Sequence, residues 1–514
     1  MEKNIRKILM ILLVIAIAVS LRFGLEFAFN LIWEFFDLST IFGYIVRTFF
    51  VAIFVLIWLS ITLRSENPHQ KLPWLLLLTF EPVVGITLFL TFGRNFKNSF
   101  RYKNRPLMHK DEYITREKRP HEVEFKLFGY DDNTQELFHV AHHLSYHQPF
   151  LNNTKIEVLK NGEAFYPDLK AALKKAQKFI LFEFFIVRAD KRGREIVNLL
   201  MQKAEEGVDV KMIIDGLGSA RMSRSYLRKI RQSKIDLVVN DKIYFPLFNT
   251  RINYRNHRKI VVVDGHTAYT GGMNIANEYD NTVDHPYYFR DTQLKLEGKA
   301  VKSLTSLFFK DYYYNTNNFF DNDFYYPETN VKSENVVQVL QSGPDSDAAT
   351  IRNLYLKMLM MAKKSVKIMT PYMALDQETL TALSIAAQSG IDVEIIIPGE
   401  PDKYLVYKVT KSFVGNLLGS GVNIYQYQKG FCHAKVFIVD DKIASVGSYN
   451  LDNRSAVIDF EVTLLMSGAP LPRLIADFEE DKKDSTRIDP KEWANRPLIT
   501  RLVEGVMSIF SPII

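Results

Sequence analysis

The sequence predicts an α/β fold: two tandem α/β domains packed about a pseudo-twofold axis and preceded by N-terminal transmembrane helices. Three observations predict it. The run HRKIVVVDGHTAYTGGMN, His257 to Asn274, returns as HAKVFIVDDKIASVGSYN from His433 to Asn450. The stretch AEEGVDV at 204–210, with the apolar run Met212 to Ile214 behind it, returns as AQSGIDV at 387–393 with Ile395 to Ile397. Three long apolar segments, 8–33, 41–63 and 72–92, fill the N-terminal region.

Length and composition set the frame. A chain of 514 residues that is 47% hydrophobic and 13% aromatic has room for two or three domains and excludes wholesale disorder. A net charge of +7 and a pI near 9.0 suit an anionic membrane and nucleic acid equally. The single cysteine excludes an intrachain disulfide. Cys432 adjoins His433 but has no motif of its own, and reads as a reduced cysteine at a strand end.

Residues 1–93 form the expected membrane region, with two to three hydrophobic helices. In the first segment Arg22 and Glu26 are four apart, so on a helix they can pair and reduce the cost of entering lipid. The second is the cleanest span, with Arg47 near its start placed to snorkel. The third carries Glu81-Pro82 at its centre, where proline removes a backbone donor. Lys3, Arg6 and Lys7 favour an inside N-terminus, and the basic run from Arg94 to Lys110 also belongs inside. Three full spans would separate those two basic stretches. Either the third segment is re-entrant at Glu81-Pro82 or the first does not cross completely.

A basic, polar connector, 94–150, leads into a first domain at 151–325. An Asn- and Asp-rich stretch, 315–330, separates it from a second at 335–490. In each domain the order is strand, helix, strand and then a hairpin bearing the duplicated motif. Residues 495–514 end the chain as an amphipathic helix with Leu498, Leu502, Val503, Val506, Ile509 and Phe510 on one face; it either docks on the protein or lies on a membrane. Arg221, Arg224, Arg228 and Arg231 recur every three or four residues and make a basic helix face, which is either solvated or drawn to anionic lipid.

The motif itself reads as chemistry. Ile260 to Val263 and Val436 to Val439 are buried strands, and alternation points His257 with Lys259, and His433 with Lys435, to the same side. Asp264-Gly265 makes a tight turn, so Asp264 and Asp440, although part of the catalytic motif, are expected to serve the turn. Gly271-Gly272 and Gly447-Ser448 allow close approach of backbone, and the amides of Asn274 and Asn450 offer donors. Two histidines, two lysines and two asparagines with no shared carboxylate or thiolate suit a phosphodiester better than zinc. Lys259, Lys435, Asn274 and Asn450 would hold the phosphate oxygens; one imidazole attacks phosphorus while the other protonates the leaving alcohol. The two motifs make one site only if the halves pack face to face.

The duplicated H-x-K-x4-D-x6-G-[GS] pattern resembles that of the phospholipase D superfamily, so the domains are expected to be phospholipase D-like. The flanking strings Tyr288-Phe289-Arg290-Asp291-Thr292, Gln341 to Asp345, Asn453-Arg454-Ser455 and Phe460-Glu461-Val462 resemble bacterial cardiolipin synthases. The resemblance runs from about residue 41 to the C-terminus. It implies a phosphatidyl-histidine intermediate, no metal, no cofactor, and conversion of two phosphatidylglycerols in an anionic membrane into cardiolipin and glycerol. It also implies a multi-pass protein of the cell membrane with its catalytic domains facing the cytoplasm. Asp291 and Glu461, downstream of the motifs, would each orient an imidazole, and His257 would be the nucleophile with His433 as acid/base. Cys432, where an apolar residue is more usual, and Ser448, where the first copy has Gly, are the departures.

Three other readings keep the same motifs. A hydrolytic phospholipase D differs only in passing the intermediate to water. A nuclease would apply the basic charge to a nucleic-acid backbone. A non-catalytic membrane scaffold would be expected to have lost a motif His or Lys, and none is lost.

Overall fold

The computed structural model describes residues 41–63, 68–92, 125–145, 147–240, 254–283, 285, 287–318, 322–346, 349–509 and 511. The first apolar segment with Arg22 and Glu26, and the basic run from Arg94 to Lys110, lie outside them. The chain divides into a unit of residues 1–94 with 244–253 and a larger unit of 95–243 with 254–514.

The smaller unit contains α1 (Ile41–Thr62), α2 (Pro68–Phe80) and α3 (Pro82–Phe92). Ile61, Leu78 and Phe89 form its small core, with Trp74 edge-on to Phe89. The third apolar segment breaks at Glu81 and folds back so tightly that a Cβ on Gly85 would fall 2.8 Å from Leu78 Cα. Among the described residues no helix is long and apolar enough to cross a membrane.

The larger unit is built from two equivalent sheets. The first holds β1 (Thr154–Lys160), β2 (Phe179–Phe184), β3 (Asp209–Asp215), β4 (Asp236–Asn240), β5 (Ile260–Val263), β6 (Thr267–Gly271) and β7 (Thr292–Gly298), in the order β1-β7-β6-β5-β2-β3-β4. The second holds β8 (Asn335–Ser342), β9 (Ser365–Met369), β10 (Asp392–Pro398), β11 (Asn423–Tyr427), β12 (Val436–Val439), β13 (Ile443–Gly447) and β14 (Glu461–Gly468), in the order β8-β14-β13-β12-β9-β10-β11. Strands β2, β3 and β4 run parallel, as do β9, β10 and β11; the remaining neighbours within these orders are antiparallel.

At the centre of each sheet β5 and β12 are buried on both faces, which is why both are continuously apolar. Ile260 and Val262 of β5, with Val436 and Ile438 of β12, enter a core shared by the two sheets. Val261 and Val263 face the helices of the first half, α5 (Asn161–Lys175), α6 (Lys191–Glu205) and α7 (Arg224–Gln232). Phe437 and Val439 do the same in the second half against α8 (Thr350–Met361), α9 (Gln377–Gln388) and α10 (Tyr404–Gly419).

Residues 125–151 depart from the expected connector. The helix α4 (Asp132–Ser145) buries Leu137, Phe138 and Ala141 in the core of the second half, and Phe150–Leu151 pairs antiparallel with β8. The chain thus crosses the second half before it builds the first. The C-terminal helix, α11 (Leu498–Ser508), packs along α10.

Candidate active site

Each motif histidine stands just ahead of a short strand, and each acid follows a segment that the other half's histidine leans on. Asn256 bridges Phe460 in parallel, and the His257 N–H donates to the Phe460 carbonyl at 2.9 Å. Phe431–Cys432 pairs in parallel with Phe289–Arg290, and the His433 N–H donates to the Arg290 carbonyl at 2.7 Å. These reciprocal contacts are those a pseudo-twofold axis between the halves requires.

The side chains cross with the backbones. His257 Nδ1–H donates to Glu461, with Oε1 at 2.9 Å and Oε2 at 3.1 Å. His433 Nδ1–H donates to Asp291 Oδ2 at 2.7 Å. The acid in each half therefore serves the histidine of the other, a pairing the sequence left open. Glu461 also accepts hydrogen bonds from the Ser448 hydroxyl and, at 2.9 Å, from Ser455 Oγ. No described residue bonds Nε2 of either ring, so both second nitrogens are left for a substrate. Phe185 stands edge-on to His257 at 5.1 Å and Tyr279 edge-on to His433 at 5.5 Å, walling the site with apolar surface.

Lys259 and Lys435 are buried beside them, their ammonium groups donating to the carbonyls of His257 at 2.6 Å and His433 at 2.5 Å. Burial drives Lys259 down to about 7 and Lys435 down to about 8. Burial raises Glu461 to about 8 and Asp291 to about 6. Both imidazoles are held well below their ordinary range, by burial first and by the neighbouring lysines second. Burial and the two lysines therefore favour neutral imidazole, the nucleophilic form, at both positions.

One expectation holds and one needs correction. Asp264 and Asp440 lie at the far end of β5 and β12 from the histidines, about 20 Å along an extended chain. Asp264 accepts from the N–H groups of Gln177, Lys178 and Phe179 at 2.7–2.9 Å; Asp440 accepts from those of Lys363, Lys364 and Ser365. Both occupy the left-handed region, with φ of 52°, and hold the strand next to the hairpin. Asn274, expected to hold phosphate, is committed to the fold: its oxygen accepts from the Ile186 N–H at 3.0 Å and its nitrogen donates to Tyr279 Oη at 2.8 Å. Asn450 differs, because its buried Oδ1 has no hydrogen-bond partner among the described residues.

A family model described as cardiolipin synthase, phospholipase D-like domain, matches residues 169–282 and 355–482, one stretch in each half. A cardiolipin synthase of Halalkalibacterium halodurans is 36% identical over 480 residues, covering 92% of this chain and 95% of that protein. The chain belongs to the cardiolipin synthase family. Cardiolipin synthase 2 of Bacillus anthracis is similar at 36% identity, covering 89% of this chain and 90% of its own. The fold also matches the crystal structure of a phosphatidylserine synthase from Haemophilus influenzae, with a TM-score of 0.54 at 17% identity over 74% of this chain and 98% of that one. As a member of the cardiolipin synthase family, the protein is a phosphatidyltransferase with two tandem phospholipase D-like domains.

The departures in this cardiolipin synthase sequence have local causes. A Cβ on Gly272 would fall 2.1 Å from Asp291 Oδ1, so glycine lets the short acid sit against the hairpin. At the equivalent position Ser448 donates its hydroxyl to the longer Glu461. Cys432 is buried, and burial pushes its thiol up to about 12, which removes it as a thiolate nucleophile. Sequence reasoning missed two buried arginines. Arg258 bonds the Glu461 carbonyl at 3.2 Å and pairs with Asp311; Arg290 bonds the Asp291 carbonyl at 2.5 Å and Asp481 at 2.5 Å. Each steadies the backbone of one acid. The signal was present as the middle residue of H-x-K and the Arg of Phe289-Arg290-Asp291, both of which read as spacers.

Proposed function

We propose that the chain joins two phosphatidylglycerols into cardiolipin and glycerol through a phosphatidyl-histidine. The observation that carries this reading is the crossed pairing, which gathers both histidines, both lysines and both acids into one site. His257 Nε2 attacks the phosphorus of the first lipid as His433, protonated on both nitrogens once the anionic phosphodiester is bound beside it, gives its Nε2 proton to the departing glycerol oxygen. The hydroxyl of a second phosphatidylglycerol then gives its proton to His433, its oxygen attacks phosphorus, and the P–N bond returns its electrons to His257. Lys259 and Lys435 neutralise the phosphoryl oxygens through both steps. Among the described residues no cluster of three or more His, Cys, Asp or Glu is placed to hold a metal ion, and the reading calls for neither metal nor cofactor.

The N-terminal unit is assigned to the cell membrane, with the larger unit on the cytoplasmic side. Support comes from Tyr44, Ile45, Phe49, Leu56 and Phe80, large side chains left exposed on α1 and α2, and from the basic run that follows them. The fold-back at Glu81 supports a re-entrant third segment, the arrangement that would leave both basic stretches on the inner side.

The test supplies labelled phosphatidylglycerol as the only lipid, with chelator present. Cardiolipin and free glycerol in equal amounts are expected. Phosphatidic acid as the main product would make the protein a hydrolase instead.

A further inference from the structure

The C-terminal helix is inside out. The residue that α11 buries most deeply is Glu504, 4% exposed, held by Arg496 at 2.7 Å with Lys408 at 3.7 Å. Its large apolar side chains point away from the protein: Leu498 is 78% exposed, Ile499 65%, Leu502 59% and Val506 45%, with Ile509 just beyond at 59%. At 3.6 residues per turn these five occupy one stripe about 100° wide. A helix docked only for stability would show the reverse, with apolar groups inside and the carboxylate in water.

The helix is fixed in place and aimed at the active site. At its start, the Arg496 guanidinium stacks on the Trp493 ring at 3.3 Å, and Lys411 Nζ also lies over that ring, at 4.9 Å. At its end, the Ser511 carbonyl accepts from Asn453 Nδ2 at 3.1 Å. Asn453 is two residues from Ser455, which bonds Glu461, the acid paired with His257. The partner helix α10 begins beside Lys403, which lies over the Tyr372 ring, and Tyr372 in turn contacts the His433 ring. The apolar stripe therefore runs up to the rim of the site, with the exposed cations Arg501 and Lys403 beside it.

The equivalent position in the first half is basic as well. α7 lies between β3 and β4 as α10 lies between β10 and β11, and it exposes Arg224, Arg228, Lys229 and Arg231, with Arg221 just ahead. A pseudo-twofold axis through the crossed histidines places α7 and the α10–α11 pair on corresponding flanks. An anionic bilayer surface answers both flanks, accepting an apolar stripe on one and a row of guanidinium groups on the other.

We propose that the outer face of α11 lies in the headgroup–acyl boundary of an anionic bilayer and sets the active-site rim against the lipid surface. The inference rests on the lipid-substrate reading above, and its first test does not depend on turnover. In the full-length protein reconstituted into phosphatidylglycerol vesicles, Leu502→Cys carries an environment-sensitive fluorophore, and Glu492→Cys, exposed on the short helix Pro490–Ala494, serves as reference; buried Cys432 stays unlabelled under native conditions. The probe at 502 is expected to be quenched by spin-labelled lipid and at least threefold less by aqueous iodide than the probe at 492. Equal iodide quenching at both positions would overturn the proposal. So would protection from iodide without quenching by lipid, which would mark a second protein copy as the occupant. A Leu502→Glu/Val506→Glu variant should lose about tenfold in activity on vesicles and keep it in detergent micelles, where the substrate reaches the site without a bilayer. Equal activity of variant and parent on vesicles would also overturn it.

Discussion

Glu461 stands 204 residues after His257 and holds its Nδ1–H at 2.9 Å, while Asp291 does the same for His433 at 2.7 Å. Neither half can orient its own histidine. Replacing Glu461 with Gln keeps a hydrogen-bond acceptor but removes the charge that steadies a developing imidazolium. It also allows the wrong tautomer. The expected loss in kcat is about 10²–10⁴-fold with KM changed little. Steady-state kinetics on mixed micelles check it, and Asp291→Asn should behave alike.

The two motif asparagines should separate in kind. Asn274 joins Ile186 to Tyr279, so Asn274→Ala leaves a buried N–H and a buried hydroxyl unpaired and should cost about 2 kcal/mol of stability. Asn450, whose Oδ1 has no hydrogen-bond partner among the described residues, should cost less in stability when truncated and more in KM. Thermal melts and KM measured on the same preparations distinguish them.

Asp264→Asn tests the separation of motif from chemistry. An amide offers one acceptor oxygen where the carboxylate uses two, and it lacks the charge that strengthens three N–H bonds. A stability loss of about 1–3 kcal/mol with kcat within about twofold of the parent is expected.

Both hairpins, the duplicated strand order and the turn role of the motif aspartates were legible because each is written locally. β-branched runs alternate between two buried faces, and Asp264-Gly265 favours positive φ at both positions. The crossing was not legible, because a bond over 204 residues leaves no trace in either flanking string. For the same reason Leu137 and Phe150 gave no sign that the chain visits the second half first. Asn274 and Asn450 look identical in sequence and differ only in what surrounds them. The inversion of α11 was hidden by Val503, which sits between the stripe and the protein and kept a docked apolar face open as a reading.

The lysines set the alkaline limit. Burial holds Lys259 near 7 and Lys435 near 8, so their ammonium groups are lost as pH rises through that range and kcat/KM should fall. A bound phosphodiester favours the charged forms, so the fall in kcat should lie at higher pH than the fall in kcat/KM. Arginine does not deprotonate in this range, and in Lys259→Arg the part of the limb due to Lys259 should move up. A limb that stays in place in that variant would assign it to another group.

The most direct test of a single composite site is the activity of His257→Ala and His433→Ala, each measured with phosphatidylglycerol as sole lipid. One shared site predicts that either substitution lowers cardiolipin formation by about 10⁴-fold or more, because each removes a step the other cannot supply. If either variant kept about half of the parent rate, the two halves would be independent centres and the crossed pairing would have no catalytic meaning.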